Sequence, residues 1–382
     1  MEATKINTFV YVINVDWYFD LHWIQRASAT LATGATVHVI MGVTDAVIVE
    51  RCQKLGFICH EWNVDRKSMN PFSNFQKLLT LYRLIKSISP DMVHAITVKP
   101  NIYVGLLSYL LKLPYVLSVT GTGIIFSSKS FTMACIRPLV RGLYKLSKTK
   151  KIPRKIIFEN WEDRDYFINS DLCESNEAVT ILGAGVDINL FAFVDENNAK
   201  PPMILFAARL LWDKGLQDLM AAARLLRERG EQFEIKVAGI VDNSTINGID
   251  QASLDSWCDE GLIQWLGTEK EMPALISAAN IVVLPTFYGE GVPRILIEAA
   301  ACGRAIITTN IAGCREIVKH ERNGLLVIPR DVEGLAEAIT RLLANPQQRY
   351  KMGLQGREMV VQDFSEQKVI AETLALYKEL LK

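Results

Sequence analysis

Short apolar runs alternate along the whole chain with segments of helical periodicity. The runs in the first half are continuously apolar and rich in Val and Ile, which is typical of strands that are covered on both faces. Helical patterns such as 75–87 separate them. The candidate strands of this half are FVYVINV (9–15), TVHVIMG (36–42), 91–95, YVLSVTG (115–121) and KIIFEN (155–160). This alternation predicts a parallel sheet with helices on both faces.

A second series of strands begins after a polar segment. The stretch AFVDENNAKPP (192–202) ends in two prolines and is the predicted linker. The runs beyond it are MILFAAR, EIKVAG, IQWLG, NIVVLP, RAIITT and GLLVIP. We therefore predict an α/β protein with one domain at 1–192 and another at 200–365. Two doubly wound domains of similar size leave a cleft between them, where ligands commonly bind.

Composition narrows the class of protein without choosing a function. The 382 residues are 49% hydrophobic, and 42 acidic residues balance 42 basic ones, so no global charge favours nucleic acid. Seven cysteines without a CxxC pair suggest reduced thiols in a cytoplasmic protein. The first residues lack a signal-peptide pattern, and no apolar run is long enough to cross a bilayer. We expect a cytoplasmic protein.

Residues 284–330 hold the densest chemical pattern. The strand NIVVLP is followed by a glycine-bearing loop, by Pro293 where a helix would begin, and by Gly303 where it would end. Free backbone N–H groups at such a loop favour an anion such as a diphosphate. Glu290 precedes the predicted helix and Glu298 lies on it, eight positions later. Two such acceptors suit hydroxyl groups at opposite ends of a nucleotide-sugar.

Here the sequence resembles the retaining glycosyltransferases of family 4. Glu290-GVPRILI-Glu298 matches their E-x7-E motif, and the flanking EGVPRxLxEAAACG and GxxEIVxxxxNGLLV patterns match as well. The resemblance implies a GT-B fold, in which two Rossmann-like domains face a cleft and a C-terminal helix (366–382) crosses back to the first domain. It also implies a donor site in which Glu290 contacts the sugar, catalysis depends on it, and Glu298 contacts the ribose. Gly291, Val292 and Pro293 complete this stretch of the donor site.

A second matching element is FAARLLWDKG (206–215). Arg209 and Lys214 fit the family's pattern of two cations after a strand, which the resemblance assigns to the donor diphosphate and to catalysis. Ordinary surface cations are the alternative. The run ILGAGVDINLF (181–191) resembles the family's glycine-rich turn before the linker, where Gly183 and Gly185 permit positive φ.

The first half offers weaker candidates. His94 lies at the end of a predicted strand, where the family often has a histidine near the donor sugar, and HAITVKPN resembles members that act on lipid-linked sugars. We therefore predict a catalytic role for His94, although a lone strand histidine is often structural. Lys99 is a candidate for an acceptor phosphate. Gly121 and Thr122 form either a turn or an acceptor or cleft contact.

One loop departs from the family pattern, and another imitates a metal motif. Many family members have a glycine pair in the first loop, but residues 14–19 here contain none, so no phosphate role is carried over to this loop. Asp163-Arg164-Asp165 has the D-x-D spacing of metal-dependent transferases, yet it starts a predicted helix, where acidic residues suit the dipole. We expect no metal and no cofactor, with the nucleotide-sugar as a substrate.

A basic stretch suggests a membrane surface. Residues 124–158 contain nine basic residues and no acidic one, and four recur at helical spacing: Arg137, Arg141, Lys145 and Lys148. An amphipathic helix of this kind suits an anionic bilayer. The alternatives are a solvated basic helix and a nucleic-acid surface, and no other motif supports the latter.

Together these features predict a retaining glycosyltransferase. It would move a hexose or N-acetylhexosamine from a nucleotide-sugar to a glycan acceptor on polyprenyl diphosphate, and the leading donor is a UDP-sugar. The overall pattern is closest to bacterial enzymes that build surface polysaccharides and O-antigen, at the inner face of the plasma membrane. Two alternatives share the fold: a UDP-sugar epimerase, and a binding protein without activity.

Overall fold

A computed structural model describes residues 6–64, 70–121, 131–148, 152–196, 201–241 and 247–382. The chain divides into two compact units, of which the first comprises Met1–Ala184 with Gln367–Lys382 and the second Gly185–Glu366. Residues 185–192, which the sequence placed in the first domain, thus group with the second unit. Their anchors lie there, because Arg357 donates hydrogen bonds to the carbonyls of Ile188 and Phe191.

The first unit contains a seven-stranded parallel sheet in the order β3-β2-β1-β4-β5-β6-β7 within the described residues. Its strands are β1 (Thr8–Ile13), β2 (Thr36–Met41), β3 (Ile58–Glu61), β4 (Met92–Ile96), β5 (Tyr115–Val119), β6 (Arg154–Phe158) and β7 (Ala178–Thr180). Successive residues of β1 face opposite cores: Val10 and Val12 lie in one, and Phe9 and Tyr11 in the other. The sheet is therefore buried on both faces, as the continuous apolar runs predicted.

Two helical layers cover this sheet. The helices are α1 (Asp16–His22), α2 (Ile24–Ala32), α3 (Ala46–Lys54), α4 (Pro71–Ile88), α5 (Val98–Leu111), α6 (Phe131–Leu146), α7 (Trp161–Asn169) and, after the second unit, α15 (Glu366–Leu380). The core on one face is shared by α4, α5, α6 and α7, and the core on the other by α1, α2, α3 and α15. In the described part of the chain, no helix combines the length and the apolar composition that crossing a bilayer requires.

The second unit repeats the doubly wound plan with a six-stranded parallel sheet, in the order β10-β9-β8-β11-β12-β13 among described residues. Its strands are β8 (Met203–Ala207), β9 (Glu234–Ala238), β10 (Gln264–Gly267), β11 (Ile281–Leu284), β12 (Ala305–Thr309) and β13 (Gly324–Val327). Its helices are α8 (Leu216–Glu228), α9 (Gln251–Asp259), α10 (Met272–Ala278), α11 (Arg294–Ala301), α12 (Ala312–Ile317), α13 (Val332–Ala344) and α14 (Pro346–Met359). The predicted fold class, with a last helix that returns to the first unit, is confirmed.

The loop after β1, which lacks the glycine pair of many family members, is held in place by the side chain of Asp16. The Asp16 carboxylate is fully buried and accepts hydrogen bonds from the backbone N–H groups of Thr44, at 2.6 Å, and Asp45, at 2.8 Å. Burial alone would raise the pKa of Asp16, but a hydrogen bond from the Thr44 hydroxyl, together with these backbone bonds and one from Trp17, lowers it below its ordinary value. A carboxylate thus fastens the β1 loop to the β2 loop.

Candidate functional site

The candidate donor site is built on the loop that follows β11. Its backbone lies against the turn before α8, since the N–H of Phe287 donates to the Asp213 carbonyl at 3.0 Å. Gly215 permits this approach: its φ is +79°, and a Cβ there would lie 2.1 Å from the Pro285 carbonyl oxygen. Both features require glycine. The contact brings two segments together that are separated by about 70 residues.

Lys214 and Glu290 form an ion pair across this contact. Both side chains are largely buried, with 9% and 16% exposure respectively. The buried hydroxyl of Thr286 lies 3.0 Å from Glu290 Oε1 and 3.1 Å from the Asp213 carbonyl oxygen, and these two acceptors share its single proton. The Tyr288 ring centroid lies 5.9 Å from Lys214 Nζ. Two residues predicted for the donor site are thus in contact, and a preorganised cation of this kind can stabilise developing negative charge.

A second glycine contact supports the other side of the loop. Gly313, in the first turn of α12, packs so closely that a Cβ there would lie 1.5 Å from the Gly291 carbonyl oxygen. Val292 is buried, and Pro293 is the N-cap residue of α11. Sequence reasoning missed Thr286 and Gly313, although the family-like GxxE pattern that begins at Gly313 was a usable signal.

Glu298 lies on α11 and is almost completely buried. Its Oε1 accepts a hydrogen bond from Arg294 Nε at 2.6 Å. Burial raises the pKa of the Glu298 carboxyl above its ordinary value, and the charge of Arg294 opposes this shift. Arg209 lies on the β8–α8 connection, as Lys214 does, and its side chain is exposed. Glu298 thus lies on the helix and Arg209 lies just after a strand, where the sequence pattern placed them.

A further cluster beside the loop has no motif in the sequence. The Arg330 guanidinium lies 4.4 Å from the centre of the Phe287 ring, and its Nη1 lies 3.3 Å from Asp218 Oδ1. Arg330 has φ +70°, an uncommon conformation for a residue with a side chain. The segment after β13 is thereby joined to the loop that presents Glu290.

The structure gives the side chain of His94 a structural setting, and its catalytic role stays a prediction. Its side chain is fully buried within β4, and both ring nitrogens are already hydrogen-bonded, Nδ1 to Tyr377 Oη at 2.6 Å and Nε2 to Ser118 Oγ at 2.8 Å. Burial holds the pKa of His94 well below its ordinary value, and the Arg26 charge lowers it further. His94 is therefore neutral, and its hydrogen bond to Tyr377 holds α15 against the sheet.

The acceptor candidates are only partly described. Lys99 lies in the first turn of α5, with Nζ 3.5 Å from Asn74 Oδ1, at the limit of a hydrogen bond. Gly121 follows β5 with φ +105°, as a turn requires. Thr122 lies outside the described residues. Asp163, from the D-x-D imitation, instead closes the cap of α7, where Asn160 Nδ2 donates to its carboxylate at 2.9 Å.

Lys145 and Lys148, both predicted membrane cations, are engaged with acidic residues. Helix α6 ends at Leu146, so Lys148 lies beyond it. Lys148 Nζ lies 2.8 Å from Asp171 and 2.6 Å from Glu174, and Lys145 Nζ lies 3.2 Å from Asp171. The prediction of one continuous face of four cations is therefore wrong, because the loop after α7 supplies counter-charges that are distant in sequence.

Comparison with known proteins identifies the class. Residues 9–154 match the glycosyl transferase 4-like family, and residues 187–359 match the glycosyl transferases group 1. A solved structure of Anabaena HepE in complex with UDP has a similar fold, with a TM-score of 0.77 at 18% identity over 96% of this chain and 99% of that one.

Two curated relatives are bacterial transferases. The N,N'-diacetylbacillosaminyl-diphospho-undecaprenol alpha-1,3-N-acetylgalactosaminyltransferase of Campylobacter jejuni is 27% identical over 87% of this chain and 89% of its own length. The capsular polysaccharide biosynthesis glycosyltransferase CapM of Staphylococcus aureus is 26% identical over 56% of this chain and 59% of its own.

The fold and these matches define the protein as a glycosyltransferase of the GT-B type. Its first unit is similar to the glycosyl transferase 4-like proteins, and its second unit is similar to the glycosyl transferases group 1.

Proposed function

We propose that this enzyme moves a hexose or N-acetylhexosamine from a UDP-sugar to a glycan on polyprenyl diphosphate, with retention of the anomeric configuration. The product would serve the synthesis of a bacterial surface polysaccharide. The observation that carries the proposal is the pair of Lys214 and Glu290, in which a largely buried cation is held beside the carboxylate expected at the donor sugar. A fixed cation suits a departing diphosphate.

The relatives support the choice of substrates. The name of the Campylobacter transferase specifies N-acetylgalactosamine, an α-1,3 linkage and a diphospho-undecaprenol acceptor, and this relative aligns over most of both chains. The CapM name places that protein in capsular polysaccharide synthesis. The HepE crystals contained UDP. A UDP-N-acetylhexosamine is therefore the first donor to test.

Each site residue has a proposed task. Lys214 and Arg209 neutralise the donor diphosphate, Glu290 binds the sugar, and Glu298 binds the ribose, while the backbone of 291–293 faces the phosphates. In retaining enzymes of family 4, the leaving diphosphate is thought to help deprotonate the acceptor on the same face of the sugar. The work of the protein is then positioning and charge stabilisation.

The test is a panel of nucleotide-sugars incubated with polyprenyl-diphosphate-linked saccharides. We expect mass spectrometry to show one added hexose or N-acetylhexosamine, and NMR to show the donor's anomeric configuration in the product. Interconversion of UDP-sugars without an acceptor would instead support an epimerase. Donor binding with neither reaction would support a binding protein. An inverted product would overturn the retaining mechanism.

We also propose that transfer requires no divalent metal. The D-x-D imitation supports this, because the Asp163 carboxylate already accepts a hydrogen bond in the α7 cap. Activity should persist in excess EDTA after the protein has been freed of metals. Loss of activity on chelation, with recovery on addition of Mn²⁺ or Mg²⁺, would refute the proposal.

The enzyme is further proposed to bind the inner face of the plasma membrane through α6. Arg137, Arg141 and Gly142 line a depression of about 500 Å³ on this helix. A cation near an anionic surface contributes about 1 kcal/mol, so reversal of Arg137 and Arg141 to Glu should release the protein from anionic vesicles. Vesicle binding that the reversal of Arg137 and Arg141 leaves undiminished would contradict the proposal.

A further inference from the structure

One face of the first unit is free of acidic residues over three neighbouring helices. Helices α4, α5 and α6 share one core under the sheet, and α5 packs against both others. Together they contain seven cations and neither Asp nor Glu. The helices on the opposite face carry acidic residues, among them Asp16, Asp20 and Glu50. The fourth helix of that core, α7, carries Glu162, Asp163 and Asp165, so the cationic region is confined to α4, α5 and α6.

Helix α4 adds an exposed apolar stripe to this face. Phe72 and Phe75 are 69% and 62% exposed, and Leu79 is also exposed, at the i, i+3, i+7 spacing of one side of a helix. The opposite side of α4 packs on the core through Leu81 and Ile85. Two exposed phenylalanines on adjacent turns are uncommon on a soluble surface and mark an interaction site.

Cations continue the same side of the helix. Arg83 and Lys86 are exposed and follow Leu79 at the same spacing, so the stripe is aromatic at its start and basic at its end. At the aromatic end, Asn74 accepts a hydrogen bond from Tyr103 at 3.0 Å and lies 3.5 Å from Lys99 Nζ. The apolar stripe therefore begins beside the residue proposed for the acceptor phosphate.

We propose that the α4–α5–α6 face is the membrane-docking surface and that Phe72, Phe75 and Leu79 insert into the bilayer. Helices α4, α5 and α6 present seven cations, of which Lys145 is offset by Asp171, and the remaining positive charge complements an anionic leaflet. Aromatic side chains on one side of a helix partition into the membrane interface. The inference rests on the proposed lipid-linked acceptor. It adds that the polyprenyl chain stays in the bilayer while its diphosphate meets Lys99 at the interface.

The test measures partition of the full chain into vesicles of phosphatidylcholine with 30–50% phosphatidylglycerol, a composition of our choosing. Replacing both phenylalanines by serine (F72S/F75S) should lower the partition coefficient by about tenfold for each side chain removed from hydrocarbon. V47S is the matched control, because Val47 is also 69% exposed but lies on α3, in the opposite layer. It should bind as the unaltered protein does.

Two further measurements separate the possible outcomes. Transfer to a water-soluble, short-chain acceptor needs no membrane, and F72S/F75S should therefore carry it out at the unaltered rate. Failure of this reaction in the unaltered enzyme would count against the proposed function alone. Undiminished vesicle binding by F72S/F75S would overturn the inference and leave the proposed function standing. A lipid-free dimer that F72S/F75S dissociates would assign the stripe to a second copy of the chain and also overturn it.

Discussion

At the scale of single residues, the proposed donor site is built around one ammonium group. Lys214 lies in a short turn after β8 and reaches Glu290 through a contact that Gly215 permits. Because the side chain is largely buried, water screens its charge less than it screens that of an exposed lysine. Its position is set before any substrate binds, which is the condition under which a charge contributes most to catalysis.

Removal of this charge should therefore slow the reaction strongly. We expect Lys214→Ala to lower kcat by about 100-fold or more, and Arg209→Ala to act in the same direction. The measurement is steady-state kinetics of sugar transfer. Arg224→Ala is a suitable control, since Arg224 pairs with Glu260 in an exposed salt bridge of the same unit. Unchanged kcat/KM in both site variants would remove these residues from the diphosphate site.

The hydroxyl of Thr286 makes a separate prediction. Its oxygen lies 3.0 Å from Glu290 Oε1 and 3.1 Å from the Asp213 carbonyl oxygen. Donation to the charged carboxylate is the stronger of the two bonds, since hydrogen bonds to charged groups are worth about 1.5–3 kcal/mol. Thr286→Val, which keeps the shape of the side chain, should lower kcat by about tenfold or more, and Thr286→Ser should restore most of it. If valine and serine behave alike, the hydroxyl does not position Glu290 for the reaction.

At the scale of elements, the loop that carries Glu290 is approached by a helix and by a turn so closely that only glycine fits at each contact. Helix α12 contacts the Gly291 carbonyl through Gly313, and the β8–α8 turn contacts Pro285 through Gly215. Each glycine therefore fixes the distance between a secondary-structure element and the loop that carries Glu290. A substitution at either glycine therefore tests how the elements pack around the loop, and it changes no side chain proposed to bind the donor.

Gly313→Ala should destabilise the second unit, because its methyl group would overlap the Gly291 carbonyl and one segment must move. Overpacking of this kind costs about 1–3 kcal/mol. Thermal unfolding should show a lowered Tm together with weaker donor binding. For comparison, a Cβ at Gly142 in α6 would meet no atom within 4 Å, so Gly142→Ala should leave Tm unchanged or slightly raised. A Tm for Gly313→Ala equal to that of the unaltered protein would argue that the loop adapts freely.

The elements also show how far sequence reasoning reached. The long apolar strands were predictable because a strand buried on both faces is apolar throughout. Strands β3 and β7 were missed, since β3 is partly exposed at the sheet edge and β7 has only three residues. The E-x7-E stretch was found because its residues are local. The hydrogen bond of His94 to Tyr377 could not be predicted, because Tyr377 is contributed by a helix 283 residues away and no local pattern encodes that contact.

At the scale of the whole molecule, the first unit should be sensitive to mild acid. Buried His94 has a pKa well below its ordinary value of 6.5, while the unfolded chain binds a proton near that value. Its contribution to stability is therefore complete above about pH 6.5 and is lost as the pH falls toward the folded-state pKa, by about 1.4 kcal/mol per pH unit. Burial lowers the pKa of His38 and His60 in the same direction.

The measurement is the free energy of unfolding of the first unit between pH 7.5 and 5.5, a range chosen to lie above most carboxyl titration. His94→Gln should be less stable at pH 7.5 but should show a flatter dependence on pH. The double variant His38→Gln/His60→Gln removes the other contribution. An unaltered slope in His94→Gln would mean that His94 is not the group responsible.

The return of α15 to the first unit has a consequence for biosynthesis. Tyr377 on this helix forms hydrogen bonds with His94 and Tyr11 of the sheet. In the folded protein both of these side chains are fully buried. During translation, residues 6–184 emerge from the ribosome well before residues 367–380 are made. Until α15 is made, the face of the sheet that this helix covers stays exposed as a groove in the nascent first unit, while the second unit is synthesised and folds. We expect ribosome-bound chains that stop before residue 366 to engage chaperones through that groove, and to release them once the last helix has emerged.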